Sequence, residues 1–266
     1  MTAIAVTIAG SDSGGGAGIQ ADIKTFSALG VYGASVITAL TAQNTRGVQG
    51  ILDVPPEFIA RQMHSVFSDL SVGAVKIGML SQPAVIEAVA AGLDRYRVTN
   101  VVLDPVMVAA SGDRLLASDA IDGLRRLLIP RALVVTPNLP EAAAILDEPM
   151  ARDESDMRRQ GERIAALGAR AVLVKGGHAE GAESVDILVS ASGVRRFAAP
   201  RIETRNTHGT GCTLSSAIAA ELAKGATLTD AVTAAKAYIS AAIAASRGID
   251  IGEGHGPVHH FHTWWS

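Results

Sequence analysis

The sequence predicts an α/β fold in which helices cover both faces of a mostly parallel central sheet. Short apolar runs alternate with segments of helical periodicity along almost the whole chain, which is typical of strand–helix units. The apolar runs are continuous rather than alternating with polar residues, as expected of parallel strands buried on both faces. Because the chain shows no linker, repeat or low-complexity segment, we expect residues 1–266 to form one domain.

The first half of the chain predicts three strand–helix units. Residues 3–9 form an apolar run rich in β-branched side chains, which indicates a buried strand. A glycine loop over residues 10–18 then enters a helix, whose apolar residues recur at helical spacing until Gly30 ends it. The next units are a strand over 34–42 with a helix opened by Pro55-Pro56, and a strand over 74–77 with a helix over 85–96.

The second half predicts three further parallel strands, an antiparallel pair and the remaining helices. The parallel strands cover residues 101–103, 133–135 and 171–174, and the antiparallel strands lie near 185–189 and 195–198. Apolar periodicity predicts helices over 120–128, from Pro140, over 153–167 with Asp153 as N-cap, and over 210–224 and 228–246. Ligands in such folds bind beyond the carboxyl ends of the strands. The candidates at those ends are Asp12, Gln43, Met79, Asp104, Asn138 and Lys175.

The composition narrows the possible function classes. Hydrophobic residues make up 48% and charged residues 18% of the 266 residues, enough to build a sizeable core. The net charge is −3 and there is no basic run, so nucleic acid and anionic membranes are not expected partners. One cysteine cannot form an internal disulfide, and no apolar run is long enough to span a bilayer. We therefore expect a cytoplasmic protein.

The glycine-containing segment 206–214 predicts an anion-binding helix N-terminus. Gly209 and Gly211 precede an apolar set at helical spacing, so their amides belong to the first turn of a helix. Amides in a first turn lack intrahelical partners and lie at the positive end of the helix dipole. Such an end attracts phosphate groups, which favours phosphoryl transfer as the chemistry of this site.

Cys212 lies in the same first turn and admits two interpretations. A lone cysteine is most often a small buried hydrophobic residue. A helix N-terminus, however, lowers the pKa of a thiol, so that a thiolate could take the proton from an attacking hydroxyl group near neutral pH. Because Cys212 follows Gly-Thr-Gly, we favour the catalytic interpretation and expect a lowered thiol pKa.

Four other residues suggest ligand contacts, and each also has a plain structural explanation. Asp104 ends a strand and Glu141 lies one turn into a helix, so the two carboxylates could hold magnesium, although Glu141 alone could simply stabilise its helix. Lys175 ends a strand in a glycine turn, either as a cation for phosphates or as an ordinary exposed lysine. The amide of Gln43 is complementary to an aminopyrimidine edge, or it only ties down the following loop.

Two further features carry weaker signals. The glycine loop at residues 10–18 fits neither G-x-G-x-x-G nor the P-loop motif, so it is either a close backbone approach to a ligand or a turn into a helix. The C-terminal tail holds His255, His259, His260 and His262 without an accompanying cysteine or carboxylate set. We expect a docked aromatic flap there rather than a metal site.

Seven segments, in order, resemble the bacterial hydroxymethylpyrimidine/phosphomethylpyrimidine kinases of thiamine biosynthesis. They cover residues 9–22, 36–45, 76–80, 104–107, 136–142, 175–178 and 206–215, and the tail at 256–262 is similar too. The likeness extends over nearly the whole chain, so it is far more specific than any single motif. It implies a three-layer ribokinase-like fold and ATP-dependent phosphorylation of 4-amino-5-hydroxymethyl-2-methylpyrimidine, then of the resulting monophosphate.

The resemblance also implies roles for individual residues. Cys212 would be the base, where most ribokinase-like enzymes have aspartate, and Gly209 and Gly211 would form the anion hole. The pyrimidine contacts would be Gln43, Gly10, Ala17, Asp22, Met79 and Val106. Lys175, Thr210 and Asn138 would bind the nucleotide, and Glu141, organised with Asn138, and Asp104 would hold Mg²⁺. A homodimer is implied as well, although the sequence itself indicates no interface.

Two other functions remain open at this stage. A pyridoxal or pyridoxine kinase is the alternative enzyme, because some members of the same superfamily accept that ring. A non-catalytic nucleotide-binding or thiamine-precursor-binding protein is the alternative outside enzymes. Asp104, Glu141 and Cys212 argue against a pure binding protein, since binding alone requires no base.

Overall fold

The computed structural model describes residues 2–107, 120–177 and 181–265 of the chain. His178, which belongs to one of the segments of the resemblance, lies outside these residues. The strands of the described part form one nine-stranded sheet in the order β3-β2-β1-β4-β5-β6-β7-β8-β9. They are β1 (Ile4–Asp12), β2 (Tyr32–Asn44), β3 (Gly47–Asp53), β4 (Ala74–Ile77), β5 (Val101–Leu103), β6 (Val134–Val135), β7 (Ala171–Lys175), β8 (Glu183–Ser190) and β9 (Gly193–Pro200).

The centre of the sheet is parallel and its two edges are antiparallel. Strands β2, β1, β4, β5, β6 and β7 pair in parallel, so their carboxyl ends meet at one edge. Strands β8 and β9 extend the sheet as the predicted antiparallel pair. On the opposite side β3 pairs antiparallel with β2, and the sequence did not predict this strand. Gly47 and Gly50 interrupt β3 and most of its residues are exposed, so it lacks the apolar signal of a buried strand.

Helices cover both faces of the sheet, as predicted. Those of the described part are α1 (Gly18–Ala28), α2 (Pro56–Phe67), α3 (Pro83–Arg95), α4 (Ala120–Gly123), α5 (Leu139–Leu146), α6 (Glu154–Ala165), α7 (Thr210–Ala223) and α8 (Leu228–Ala245). The helix predicted over residues 120–128 is shorter than expected. After α4 the chain passes through a π-helical turn, Leu124–Leu128, and a 3₁₀ turn, Ile129–Arg131, where Pro130 cannot donate a helical hydrogen bond.

Two hydrophobic cores lie on the two faces of the sheet. One packs α2 to α6 against the sheet around buried residues such as Ile59, Leu93 and Ile145. The other packs α1, α7 and α8 around Phe26, Ile218 and Ala235. Together with the mostly parallel pairing, this layering confirms the predicted α/β fold class. The single sheet supports the prediction of one domain over residues 1–266, which stays a prediction.

Helix caps fix the two helix starts that border the site. Asn138 caps α5, since its side chain accepts a hydrogen bond from the Glu141 amide at 2.9 Å while Glu141 Oε2 accepts from the Asn138 amide at 2.8 Å. Helix α7 starts at Gly209, whose φ of 78° is the left-handed conformation that favours glycine. A Cβ atom on Gly209 would collide with the carbonyl oxygen of Gly16, so the two glycine loops pack backbone against backbone.

The C-terminal tail docks against the fold, as predicted for the flap. The His208 amide donates to the Gly256 carbonyl at 3.0 Å, and His260 is buried with its Nε2 3.0 Å from Thr213 Oγ1. Trp264 and Trp265, by contrast, are exposed. Among the helices in residues 2–107, 120–177 and 181–265, none is long and apolar enough to cross a membrane.

Candidate active site

A cavity of about 750 Å³ lies at the carboxyl ends of the parallel strands. Its walls come from the residues that follow β1, β4, β5, β6 and β7, from the glycine loop before α1, and from the N-terminus of α7. Every residue predicted for the site lines this cavity except Asp22. The predicted residues that line it are Gly10, Ala17, Gln43, Met79, Asp104, Val106, Asn138, Glu141, Lys175, Gly209, Thr210, Gly211 and Cys212.

Two helix N-termini converge on the Cys212 sulfur. Cys212 is half-buried in the first turn of α7, and the Gly18 amide at the start of α1 hydrogen-bonds to its thiol. In the described part of the chain, the Gly211 and Cys212 amides have no backbone acceptor, whereas the Thr210 amide donates to Thr207. Unpaired amides at a helix N-terminus are well placed to stabilise an anion beside the thiol.

The predicted lowering of the Cys212 pKa is wrong for the free protein. Burial raises the pKa of the Cys212 thiol to about 11, and the carboxylates of Asp22 and Asp104 act in the same direction. The Lys76 ammonium group and the hydrogen bond from Gly18 oppose this rise without cancelling it. The helix terminus argument considered only the local backbone, whereas the desolvation and the two carboxylates come from tertiary packing.

Lys175 lies between the two carboxylates predicted to hold a metal. Its Nζ atom is 2.8 Å from Asp104 Oδ1 and 4.0 Å from Glu141 Oε2. Burial lowers the pKa of Lys175, but the charges of Asp104 and Glu141 outweigh burial and raise the pKa, so the amine stays protonated. Asp104 also accepts hydrogen bonds from Thr136 at 3.1 Å and from Ser215 at 3.2 Å. The structure therefore brings together one cation and two acids at the ends of β5, β6 and β7.

Glu141 serves as a helix cap and is also a buried acid. Burial raises the pKa of its carboxyl to about 7, opposed by Lys175 and assisted by the neighbouring charge of Asp104. The capping box with Asn138 agrees with the alternative that Glu141 stabilises the start of its helix. A metal role is compatible with this cap, because Glu141 lines the cavity and a carboxylate oxygen that accepts from the backbone has further lone pairs.

The donor set fits magnesium only if phosphate oxygens complete it. In the described ranges no group of three or more His, Cys, Asp or Glu side chains could hold a metal ion by itself. Asp104 and Glu141 supply two carboxylates on either side of Lys175, and Asn138 lines the same wall. Magnesium is usually bound by one or two carboxylates together with waters and substrate phosphates, so this set is suited to an ion that arrives with a nucleotide.

Gln43 is partly buried, and other side chains position its amide. Its Oε1 accepts from Thr41 Oγ1 at 3.1 Å, and its Nε2 lies 3.5 Å from His208 Nε2. The same His208 nitrogen is 2.9 Å from Asp12 Oδ2. Asp12 in turn accepts from the Ala17 amide at 2.8 Å. The Gln43 amide is thus linked to both glycine loops through His208 and Asp12.

Asp22 does not occupy the position that the resemblance implied. It is completely buried, does not line the cavity, and forms a 2.8 Å ion pair with Lys76. Thr7 and Ser216 each donate a hydrogen bond of 2.6 Å to its carboxylate. The implied direct contact between Asp22 and a substrate is therefore corrected: the side chains of Lys76, Thr7 and Ser216 enclose the carboxylate oxygens of Asp22.

Comparison with known proteins identifies the family. A family model described as phosphomethylpyrimidine kinase matches residues 12–259. The hydroxymethylpyrimidine/phosphomethylpyrimidine kinase of Rhizobium meliloti is 62% identical over 265 residues, covering 100% of this chain and 99% of that protein. The chain belongs to the phosphomethylpyrimidine kinase family.

Two further relatives extend this finding. The thiamine biosynthesis bifunctional protein ThiED of Geobacter sulfurreducens is 54% identical over 255 residues, which are 96% of this chain and 51% of that longer protein. The crystal structure of Bacillus subtilis pyridoxal kinase in an ADP complex is similar with a TM-score of 0.91 at 37% identity, covering 99% of each chain. The predicted family, ribokinase-like fold and kinase class are confirmed.

Two charged pairs of this kinase escaped the sequence analysis. Lys76 stands in the four-residue strand Ala74–Ile77 and is completely buried against Asp22. Lys236 of α8 donates to Asp186 of β8 at 2.7 Å, and Asp186 also accepts from the Gly176 amide at 3.0 Å. The sequence signal that could have revealed them is a charged residue inside an otherwise apolar strand. Such a charge is buried only when it has a partner of opposite charge. The sequence could not reveal which partner it has.

The raised pKa of Cys212 predicts a characteristic alkylation profile. The rate of reaction with iodoacetamide follows the thiolate, so for the folded kinase we expect it to rise continuously from pH 7 to pH 10. In the urea-unfolded protein, the alkylation rate should approach a plateau once the pH exceeds the ordinary thiol pKa of roughly 8.5. Mass spectrometry reports Cys212 alone, because the chain contains one cysteine. A plateau near pH 7 in the folded protein would restore the original expectation of a lowered pKa.

The buried ion pair predicts an asymmetric effect on stability. Asp22→Asn leaves the Lys76 ammonium group without its counter-ion, so we expect the free energy of unfolding to fall by about 3–5 kcal/mol. Asp22→Asn combined with Lys76→Met removes both charges and should cost clearly less than the single substitution. Urea unfolding of the three proteins measures this. Equal losses in the single and double variants would show that the pair is not the source of the effect.

Proposed function

We propose that this kinase uses ATP to phosphorylate 4-amino-5-hydroxymethyl-2-methylpyrimidine and then the monophosphate, giving the diphosphate used in thiamine diphosphate biosynthesis. One observation carries the proposal: the Gln43 amide, the Cys212 thiol and the unpaired amides of Gly211 and Cys212 all face one cavity. An aminopyrimidine needs an acceptor and a donor, which a side-chain amide supplies. The names of the relatives support a pyrimidine acceptor as well.

The nucleotide would occupy the other part of the cavity. Apolar side chains of α8, of the end of β9 and of the segment after it line this part, among them Pro200, Ile202, Ile239 and Ile243, and they could enclose an adenine ring. Lys175 lies close to the N-terminus of α7, since a Cβ atom on Gly211 would lie 3.3 Å from its Nζ atom. The ADP complex of the Bacillus subtilis relative supports ATP as the donor.

The residues suggest a division of roles during transfer. Lys175 would contact the phosphates, and the Gly211 and Cys212 amides would stabilise the charge on the transferring group. In its thiolate form, Cys212 would receive the proton of the pyrimidine hydroxyl as the hydroxyl oxygen attacks the γ-phosphorus and ADP leaves. Asp104, Glu141 and Asn138 would hold Mg²⁺, which when bound neutralises phosphate charge. The monophosphate acceptor is already anionic, so the second transfer makes little demand on a base.

A pyridoxal-type alcohol is the second candidate acceptor. The observation that favours it is the TM-score of 0.91 with a pyridoxal kinase. Against it stands the higher identity, 62%, with a pyrimidine kinase. A non-catalytic binding protein is less consistent with a thiol and two acids in the same cavity. A homodimer and a cytoplasmic location remain part of the proposal, to be tested by sedimentation and by cell fractionation.

Product analysis tests the proposed reaction. The kinase is incubated with ATP, Mg²⁺ and the pyrimidine alcohol, and we expect first the monophosphate and then the diphosphate by mass spectrometry. Omitting Mg²⁺ should abolish both products. Absence of both products under complete conditions would refute the proposed function.

Cys212→Ala tests the proton transfer within the same assay. Because general base catalysis typically contributes roughly 10²- to 10⁴-fold, we expect a loss of that order in the alcohol step and a smaller loss in the second step. Nucleotide binding, followed by the change in thermal stability with ATP, should persist. Full turnover by the variant would leave Cys212 without a catalytic role.

Gln43→Ala tests acceptor recognition. Loss of the amide should lower kcat/KM for the pyrimidine alcohol by about 10- to 100-fold, and for pyridoxal by less. Gln49→Ala is the matched control, because Gln49 is exposed on β3 and its side chain hydrogen-bonds only to the Gly47 carbonyl among the described residues. Equal losses for the two alcohols would remove Gln43 from pyrimidine recognition, and a preference for pyridoxal in the unsubstituted kinase would favour the second candidate.

A further inference from the structure

The Asp22–Lys76 ion pair contacts α7 one helical turn below Cys212. Helix α7 contributes both Cys212 and Ser216, which are four residues apart and therefore lie on the same face of the helix, one turn from each other. Helix α1 repeats this spacing, because Gly18 hydrogen-bonds to the thiol and Asp22 lies four residues later. Ser216 and Asp22 are bonded to each other at 2.6 Å. The thiol thus occupies the upper turn between the two helices, and the ion pair occupies the turn below.

Within the pair, the positive end is nearer to the cavity. Lys76 lines the cavity, whereas Asp22 does not. The Asp22 carboxylate is held from behind by Thr7 and Ser216, and both of its oxygens accept from Lys76 Nζ, at 2.9 and 2.8 Å. This arrangement fixes the ammonium group between the carboxylate and the floor of the site.

The packing leaves little freedom for the ammonium group to move. A Cβ atom on Gly78, in the turn after β4, would lie 2.8 Å from Lys76 Nζ and 3.0 Å from the Ala9 Cβ atom, so Gly78 leaves room for the ammonium group. Lys76 has no exposed surface, and water cannot screen its charge. Burial lowers the pKa of Lys76, but the charges of Asp22, Cys212 and Asp104 outweigh burial and raise the pKa above its ordinary value. The group is therefore an ammonium ion at all working pH values.

We propose that Lys76 is a positioning residue that maintains an unscreened positive charge beneath Cys212 and thereby favours the thiolate needed to accept the proton of the alcohol. The catalytic part of this inference rests on the proposed function. Lys76 keeps its own proton throughout, and the proton of the hydroxyl group passes to the sulfur of Cys212. Asp22, Thr7 and Ser216 hold Lys76 in place without touching the acceptor.

Other charged groups also surround the thiol. Asp104, from the end of β5, and Asp22, from α1, disfavour the thiolate. Lys175, from the end of β7, interacts with the Cys212 charge too, but Asp104 and Glu141 already compensate it. Among the described residues, Lys76 forms its ion pair with a carboxylate, Asp22, that does not line the cavity.

Alkylation of Cys212 tests the charge effect without any substrate. The double variant Asp22→Asn, Lys76→Met carries neither charge of this pair, and we expect its iodoacetamide reaction at pH 9 to be at least about threefold slower than that of the unsubstituted kinase. Each unit of pKa increase lowers the thiolate fraction tenfold, while the reactivity of the remaining thiolate rises by less. An unchanged or faster reaction in the double variant would overturn the inference.

For Asp22→Asn alone, the expected change in the alkylation rate of Cys212 has the opposite sign. This variant keeps the ammonium group and removes the carboxylate, so Cys212 should be alkylated faster than in the unsubstituted kinase. Loosened packing would accelerate both variants, and a purely structural role would therefore not give opposite signs. Rates that do not change at low urea concentrations report the folded state. Acceleration of both variants would contradict the proposal.

The pH dependence of the kinase reaction links the charge to catalysis. In the double variant, the rise of kcat for the alcohol step should move to higher pH, whereas the second step should move less. A slower alkylation without this shift in kcat would overturn the catalytic part of the inference. If the unsubstituted kinase makes neither product, the proposed function fails, while the alkylation rates still decide whether Lys76 acts on the thiol.

Discussion

The site depends on the close backbone approach of Gly16 and Gly209. Because neither residue has a side chain, the loop before α1 can pack against the start of α7, and the N-termini of both helices point to one place. Cys212 lies at that place, with the Gly18 amide from one helix and its own first turn from the other. A side chain at Gly209 would separate the helices and disperse the amides that make the cradle suited to a phosphate group.

The same convergence determines how charge is distributed in a site built on apolar strands. Lys175 is balanced by Asp104 and Glu141 at the ends of β5 to β7, and Lys76 is balanced by Asp22 beneath the thiol. Each buried cation has a partner within hydrogen-bond distance, as burial of charge requires. The two pairs differ in orientation, because the carboxylates of the first pair line the cavity while that of the second is hidden behind the lysine.

Cys212 illustrates how local and tertiary effects compete. The helix N-terminus and the Gly18 amide favour a thiolate, but burial and two carboxylates raise the pKa to about 11. The first effect can be predicted from Gly-Thr-Gly-Cys in the sequence. The second requires the positions of Asp22 and Asp104, which are 190 and 108 positions away along the printed chain. The local motif therefore predicted correctly that Cys212 lies in the site, but the lowered thiol pKa that it predicted was wrong.

The residues alone were enough to predict most of the order of strands and helices, the parallel core of the sheet and a set of site residues of which all but Asp22 line the cavity. Apolar periodicity and the rule that ligands bind beyond strand ends depend only on neighbouring residues, so they could be read directly. Tertiary structure alone decided the edge strand β3, the enclosure of Asp22, the pairing of Lys76 and the pKa of Cys212. Each of these depends on contacts between segments distant in sequence, where burial and charge act through space rather than along the chain.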